Sequence, residues 1–209
     1  MDINIAGIFY SKEEIASRVR ELASEIEECF GDEDIVIVGV LKGACVFVTD
    51  LMREIKNDVI LDFMMVSSYG MSTKSSGVVK IIKDVDAVVE GQNVLIVEDI
   101  IDTGLTMNYL RDYFQRKGCK SFKICTLLDK PQRRTCDVVA DFTGFEIPDK
   151  FVVGYGIDCG EKYRNLPYIG YVEEYSENSL KNILNYIFNM CLYTKISFTF
   201  YDNYLIINV

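Results

Sequence analysis

The chain has 209 residues, 49% of them apolar, enough for one main domain with a sizeable core. Its 22 basic and 32 acidic residues leave a net charge of −10, which opposes the counterion release on which non-specific nucleic-acid binding depends. Histidine is absent, which excludes Ser-His-Asp and Cys-His nucleophiles, histidine zinc sites and imidazole bases, and leaves acid-base work to carboxylates, lysine or tyrosine.

In chain order, Ser11-Lys12-Glu13-Glu14 reads as a capping box, and Ile15, Val19, Leu22 and Ile26 follow at helical spacing until Gly31 closes the helix. The apolar run 35–40 predicts a strand buried on both faces, and Leu41-Lys42-Gly43-Ala44 then turns into a second apolar helix to about residue 56. Lys42-Gly43 therefore sits at a strand's carboxyl end, without the second glycine or the following Ser/Thr of a P-loop. Residues 59–66 predict another strand. The stretch 67–77 is small, polar and glycine-punctuated, and reads either as a plain connection or as a lid, before strand character resumes at 78.

The stretch 93–108, NVLIVEDIIDTGLTMN, organises the rest of the chain. A strand through Val97 meets Glu98 and Asp99, and Asp102-Thr103-Gly104-Leu105-Thr106 opens an amphipathic helix expected to run to about Lys117, with Gly118 as its cap. Acids at a strand end suit hydroxyl groups or a divalent metal, and backbone N–H groups at a helix N-terminus suit a phosphate. A ribose 5-phosphate fits both. Read singly, these residues are better explained by solvated acids and by an Asp102 side-chain cap. Residues 122–128 form the next strand, ahead of Asp129-Lys130, and 151–153 form a short one after Pro148-Asp149-Lys150. On their own, Lys130 reads as a solvated charge, Phe151 as core, and Asp158 with Arg164 as a surface pair. Strand and helix alternate, which predicts a parallel sheet with helices on its faces, and no G-x-G-x-x-G follows any strand.

The ordered string from Glu98 to Thr106 resembles the ribose-phosphate motif of the phosphoribosyltransferase family: a strand, two acids, two apolar residues and Asp-Thr-Gly-x-Thr. The resemblance runs over roughly residues 5 to 172, through Leu41-Lys42-Gly43, Ser67-Ser68-Tyr69-Gly70, Lys130, Phe151-Val152-Val153-Gly154-Tyr155, Asp158 and Arg164. It implies an α/β type I phosphoribosyltransferase fold, with a mostly parallel central sheet flanked by helices and a small hood. It also implies a purine-salvage reaction of 5-phosphoribosyl-1-pyrophosphate with hypoxanthine or guanine that uses Mg²⁺, in a homodimer or homotetramer.

The resemblance carries roles as well. Glu98 and Asp99 would hold the ribose hydroxyls directly or through metal, with Asp158 near the base and a metal, while Thr103, Gly104, Leu105 and Thr106 would grip the 5-phosphate. Lys42, Gly43 and Arg164 would meet pyrophosphate, the Leu-Lys-Gly turn carrying a non-proline cis peptide. Lys130 would donate to a 6-oxo group, Phe151 would stack on the purine and the Val152 backbone would read its edge. Ser68 and Tyr69 would belong to a closing loop, and Asp102 would serve the base nitrogen as proton acceptor or hydrogen-bond partner.

The expected division is a catalytic domain over 1–175 and an extension over 176–209 of unknown role, the latter with a helix at 179–191 and strands near 196–201 and 204–209 joined at Asp202-Asn203. Cysteines 29, 45, 119, 125, 136, 159 and 191 form no C-x-x-C pair and are odd in number, so a reducing cytoplasm is expected. No leader pattern opens the chain and no run reaches the about 18 apolar residues of a membrane span, so neither membrane nor nucleic acid is an expected partner. Two other classes stay open: a regulator on the same fold that binds RNA or DNA, and an interaction protein that uses the tail as its contact surface.

Overall fold

The computed structural model describes residues 4–68, 79–172, 197–201 and 204–208. Ile5–Tyr10 forms strand β1 and Lys12–Phe30 helix α1. Ser11 caps α1 as its sequence predicts: Oγ accepts from Glu14 N at 3.3 Å, and Glu14 Oε2 accepts from Ser11 N at 2.8 Å. Ile15, Val19, Leu22 and Ile26 are all buried on one face, and Gly31 ends the helix.

Ile35–Leu41 forms β2, Cys45–Glu54 α2, Val59–Ser68 β3, Val79–Lys83 β4, Asn93–Ile101 β5, Leu105–Arg116 α3, Ser121–Asp129 β6 and Phe142–Glu146 β7. These strands make one sheet in the order β4-β3-β2-β5-β6-β7, parallel except for the antiparallel β3–β4 pair. Because successive side chains alternate across a strand, each central strand feeds two cores. Ile35, Ile37, Leu95 and Val97 pack with α1 and α2. Val36, Val38, Val94 and Ile96 pack with Met107, Leu110 and Phe114 of α3. That double burial is why residues 35–40 and 94–97 read as unbroken apolar runs. Parallel pairing brings the carboxyl ends of β2, β5 and β6 to one sheet edge, where ligands of open α/β sheets bind.

Phe151–Val153 forms β8 and Ile169–Val172 β9, which with β1 make a small antiparallel sheet in the order β1-β9-β8. This is the expected hood. Three strands that the sequence pattern does not announce, β1, β7 and β9, complete the two sheets. β5 also runs two residues beyond Asp99, so the acids lie within the strand's last turnings rather than past its end.

The chain divides into two compact units, Met1–Val172 and Glu173–Val209. In the second, Ser197–Tyr201 (β10) and Tyr204–Asn208 (β11) pair antiparallel, Tyr201 opposite Tyr204, matching the two strands expected there. The helix expected at 179–191, Tyr69 and most of the 67–77 stretch lie outside the described residues. Among the described residues no helix is long and apolar enough to cross a membrane.

Candidate active site

Four segments meet at the sheet edge. The first is the turn after β2, where the Leu41-Lys42 peptide is cis and the Cys45 N–H donates to Lys42 O at 3.2 Å to start α2. Gly43 in this turn has no room for a side chain, because a Cβ there would lie 1.6 Å from Asp99 Oδ2. A Cβ on Gly156 would in turn lie 2.1 Å from Gly43 O. The β2 turn, the acids on β5 and the 154–157 segment are thus packed backbone to side chain.

Glu98 and Asp99 form the second segment. As residues they keep part of their surface exposed, yet Glu98 Oε2 is shut away from solvent and accepts no hydrogen bond among the described residues. Burial pushes the Glu98 carboxyl well above the usual range and the neighbouring Asp99 charge raises it further. Burial also raises Asp99, against the Ile100 N–H at 2.8 Å and the charge of Arg164. Two adjacent carboxyls, short of counter-charge and with one orphaned oxygen, are a donor set suited to a hard divalent cation that completes its shell with substrate oxygens and water. Asp158 does not join them: among the described residues no three acidic side chains gather as a metal cluster. Its carboxylate instead pairs with Arg164 Nη2 at 2.8 Å and accepts from Glu161 N at 2.8 Å.

The third segment is the turn between β5 and α3. Gly104, at φ 83, is the residue before the first helical turn, and no side chain caps α3. The simple reading of Asp102 as a helix cap is therefore wrong. The helix N-terminus is left to whatever anion meets its first N–H groups, with only a 3.4 Å contact from Leu105 N to Thr103 Oγ1. Helix α3 ends at Arg116, with Lys117 as its cap and Gly118 just beyond in the left-handed region. The turn is held from behind, as Thr103 O accepts from Thr135 N at 3.0 Å and Arg134 Nη1 donates to Asp102 O at 2.9 Å.

The fourth segment follows β6. Lys130 is 7% exposed rather than solvated, its N–H donating to Ile101 O at 2.9 Å and its Nζ 3.6 Å from Asp149 Oδ1. Phe151 is 45% exposed, so it is not the core residue its apolar neighbourhood suggests, whereas Val152 beside it is buried. Lys42 Nζ donates to Glu161 Oε2 at 3.0 Å, and the same oxygen lies 3.4 Å from Arg164 Nη2, so one carboxylate stands between the two cations. Arg164 Nη1 donates to Gly156 O at 2.8 Å, and its Nε is buried without a hydrogen-bond partner among the described residues. A cavity of ≈ 420 Å³ between α1, α2 and the 164–167 segment shares only Arg164 with these residues. Sequence reasoning passed over Arg133, Arg134, Asp149 and Glu161. The adjacent arginines Arg133-Arg134, one residue past Asp129-Lys130-Pro131, are the available signal for the first two.

A parallel sheet whose edge presents an uncapped helix N-terminus, paired acids and two cations defines a site for phosphorylated sugars. The chain belongs to the phosphoribosyltransferase family: the Phosphoribosyl transferase domain matches residues 7–159. Among its relatives, the hypoxanthine-guanine phosphoribosyltransferase of Bacillus subtilis (strain 168) is 55% identical over 170 residues, covering 81% of this chain and 94% of that protein. The enzyme of the same name from Aquifex aeolicus (strain VF5) is 52% identical over 168 residues, 80% of this chain and 94% of that one. A crystal structure of a hypoxanthine-guanine phosphoribosyltransferase from Bacillus anthracis, with a HEPES molecule in its active site, superposes with a TM-score of 0.79 at 53% identity, covering 81% of this chain and 100% of that one.

Proposed function

We propose that this enzyme transfers the 5-phosphoribosyl group of 5-phosphoribosyl-1-pyrophosphate to hypoxanthine or guanine, giving IMP or GMP and pyrophosphate in cytoplasmic purine salvage. The observation that carries the reading is the meeting, at one sheet edge, of the uncapped α3 N-terminus, the Glu98-Asp99 pair and the buried Lys130. Similarity to hypoxanthine-guanine phosphoribosyltransferases supports it.

In this reading Thr103, Gly104, Leu105 and Thr106 hold the 5-phosphate on backbone N–H groups. Glu98 and Asp99 orient the ribose hydroxyls and would hold Mg²⁺, which when bound supplies charge neutralisation for the pyrophosphate. Asp158 serves the base side and the metal's outer surroundings. The C1–O bond breaks with both electrons leaving on pyrophosphate, while Lys42, the Gly43 backbone and Arg164 meet the charge that builds there. The purine nitrogen bonds to C1, and the proton the purine sheds passes to Asp102. Lys130 donates to the 6-oxo group, Phe151 stacks on the ring and the Val152 backbone reads its edge. Ser68 and Tyr69 belong to a segment that shields the sugar from water.

The catalytic domain is taken as 1–175 and the 176–209 extension as a separate element, with the enzyme a homodimer or homotetramer. The test is a base panel with 5-phosphoribosyl-1-pyrophosphate and magnesium. Hypoxanthine and guanine turn over and adenine does not, since its 6-amino group opposes a donor with a donor. Comparable rates with adenine would overturn the assignment of Lys130.

A further inference from the structure

Asp102 is gripped by one short turn. Pro131–Arg133 forms a 3-10 turn opened by its proline and closed by the Arg133 N–H on Lys130 O at 3.0 Å, and it sends two successive arginines to the same aspartate. Arg134 takes the main chain, donating to Asp102 O at 2.9 Å while pairing with the buried Asp129. Arg133 takes the side chain: its Nε lies 2.6 Å from Asp102 Oδ1. This is an ion pair without an aligned hydrogen bond, since that oxygen is buried and accepts none among the described residues. Arg133 Nη1 reaches both oxygens of Asp149, at 3.2 and 3.4 Å, and Asp149 Oδ1 is also the atom 3.6 Å from Lys130 Nζ.

Alternating charges thus run Asp102, Arg133, Asp149, Lys130, joining the residue assigned to the purine proton with the one assigned to its 6-oxo group. An aspartate side chain has only two torsions, and among the described residues Arg133 is the one cation paired with the Asp102 carboxylate, so the direction of the carboxylate is set by Arg133. With Oδ1 turned inward, the 41% of the side chain that is exposed belongs to its other atoms. The hydrogen bond to Asp149, and after it the charge of Asp102, hold the guanidinium firmly cationic.

We propose that Arg133 is a positioning residue: anchored on Asp149, it holds Asp102 with one oxygen inward and the other presented to the purine. The inference rests on the role given to Asp102 above. Arg133 is 46% exposed, so its removal leaves the fold standing.

The test is a double-mutant cycle of Arg133→Met and Asp102→Asn, assayed with hypoxanthine and magnesium. Arg133→Met is expected to lower kcat about tenfold, with KM for 5-phosphoribosyl-1-pyrophosphate unchanged and a melting shift under about 2 °C. Asp102→Asn alone lowers kcat about a hundredfold, and the double variant falls no further than Asp102→Asn. A tenfold loss from Arg133→Met in both backgrounds, or normal kcat in the single variant, overturns the positioning role while leaving Asp102 its chemistry. Near-normal kcat in Asp102→Asn overturns both.

Discussion

Gly43→Ala separates fold from function at this site. The three atoms nearest an added Cβ all belong to the Asp99 carboxyl, the closest at 1.6 Å where ordinary contact begins at 3.4 Å, so the carboxylate must retreat by the difference, about 1.8 Å. None of those three nearest atoms is backbone, and Gly43 is not in the left-handed region, so the clash falls on a side chain. The stability cost is then an off-rotamer Asp99, about 1 kcal/mol, with the loss of its bond from Ile100 N of similar size. The functional cost is larger: misplacing a reacting-site group by about 1 Å costs about a hundredfold in rate. The expected result is kcat down by about two orders of magnitude, with unfolding free energy lower by about 1–2 kcal/mol, read from steady-state IMP formation and urea titration. Turnover within about threefold of wild type would refute the argument that Asp99 is fixed by contact with Gly43. Gly156→Ala is the contrast, because its Cβ would meet the Gly43 carbonyl at 2.1 Å with φ at +102, and it should lose stability before activity can be assigned.

Two further outcomes are expected. Burial by itself would raise the Asp62 carboxyl, but the Ala87, Phe63 and Asp86 N–H groups, at 2.6–2.8 Å, and Lys83 outweigh it and hold it below its usual value. Its stabilisation is therefore present above the unfolded pKa of about 3.9 and lost as pH falls through the lower folded value. Asp62→Asn should cost about 2 kcal/mol near pH 7 and much less near about pH 3, and equal gaps at both in urea titrations would reject the linkage. Phe151→Ala should leave stability within about 0.5 kcal/mol, because the ring is exposed, yet raise KM for hypoxanthine about tenfold or more through lost stacking. An unchanged KM for the base would remove Phe151 from the purine site.

Much of this architecture is local enough to be written along the chain. Ser11 and Glu14 cap α1 in any context that leaves the helix standing, and 35–40 and 94–97 must be strands buried on both faces because nothing in them tolerates water. The Asp102–Thr106 string announces the turn into α3 in sequence, and the apolar runs of the tail announce the strands Ser197–Tyr201 and Tyr204–Asn208. Strands β1, β7 and β9 are different: they are four to six residues long, each is interrupted by a glycine, and β1 becomes a strand only by pairing Ile5 with Val172 at the other end of the catalytic unit. Tertiary structure also decided which residues lie open and which are buried. Lys130 is buried and Phe151 exposed, against the solvation preference of each, because the turns after β6 and before β8 set their orientation. Gly43 lies against Asp99, and Arg133 against Asp102, across sequence gaps that no local pattern spans. Hydrogen-bond caps and apolar periodicity act between near neighbours and so can be read in order, whereas the contacts that aim the acids arise only when the sheet brings its strand ends together.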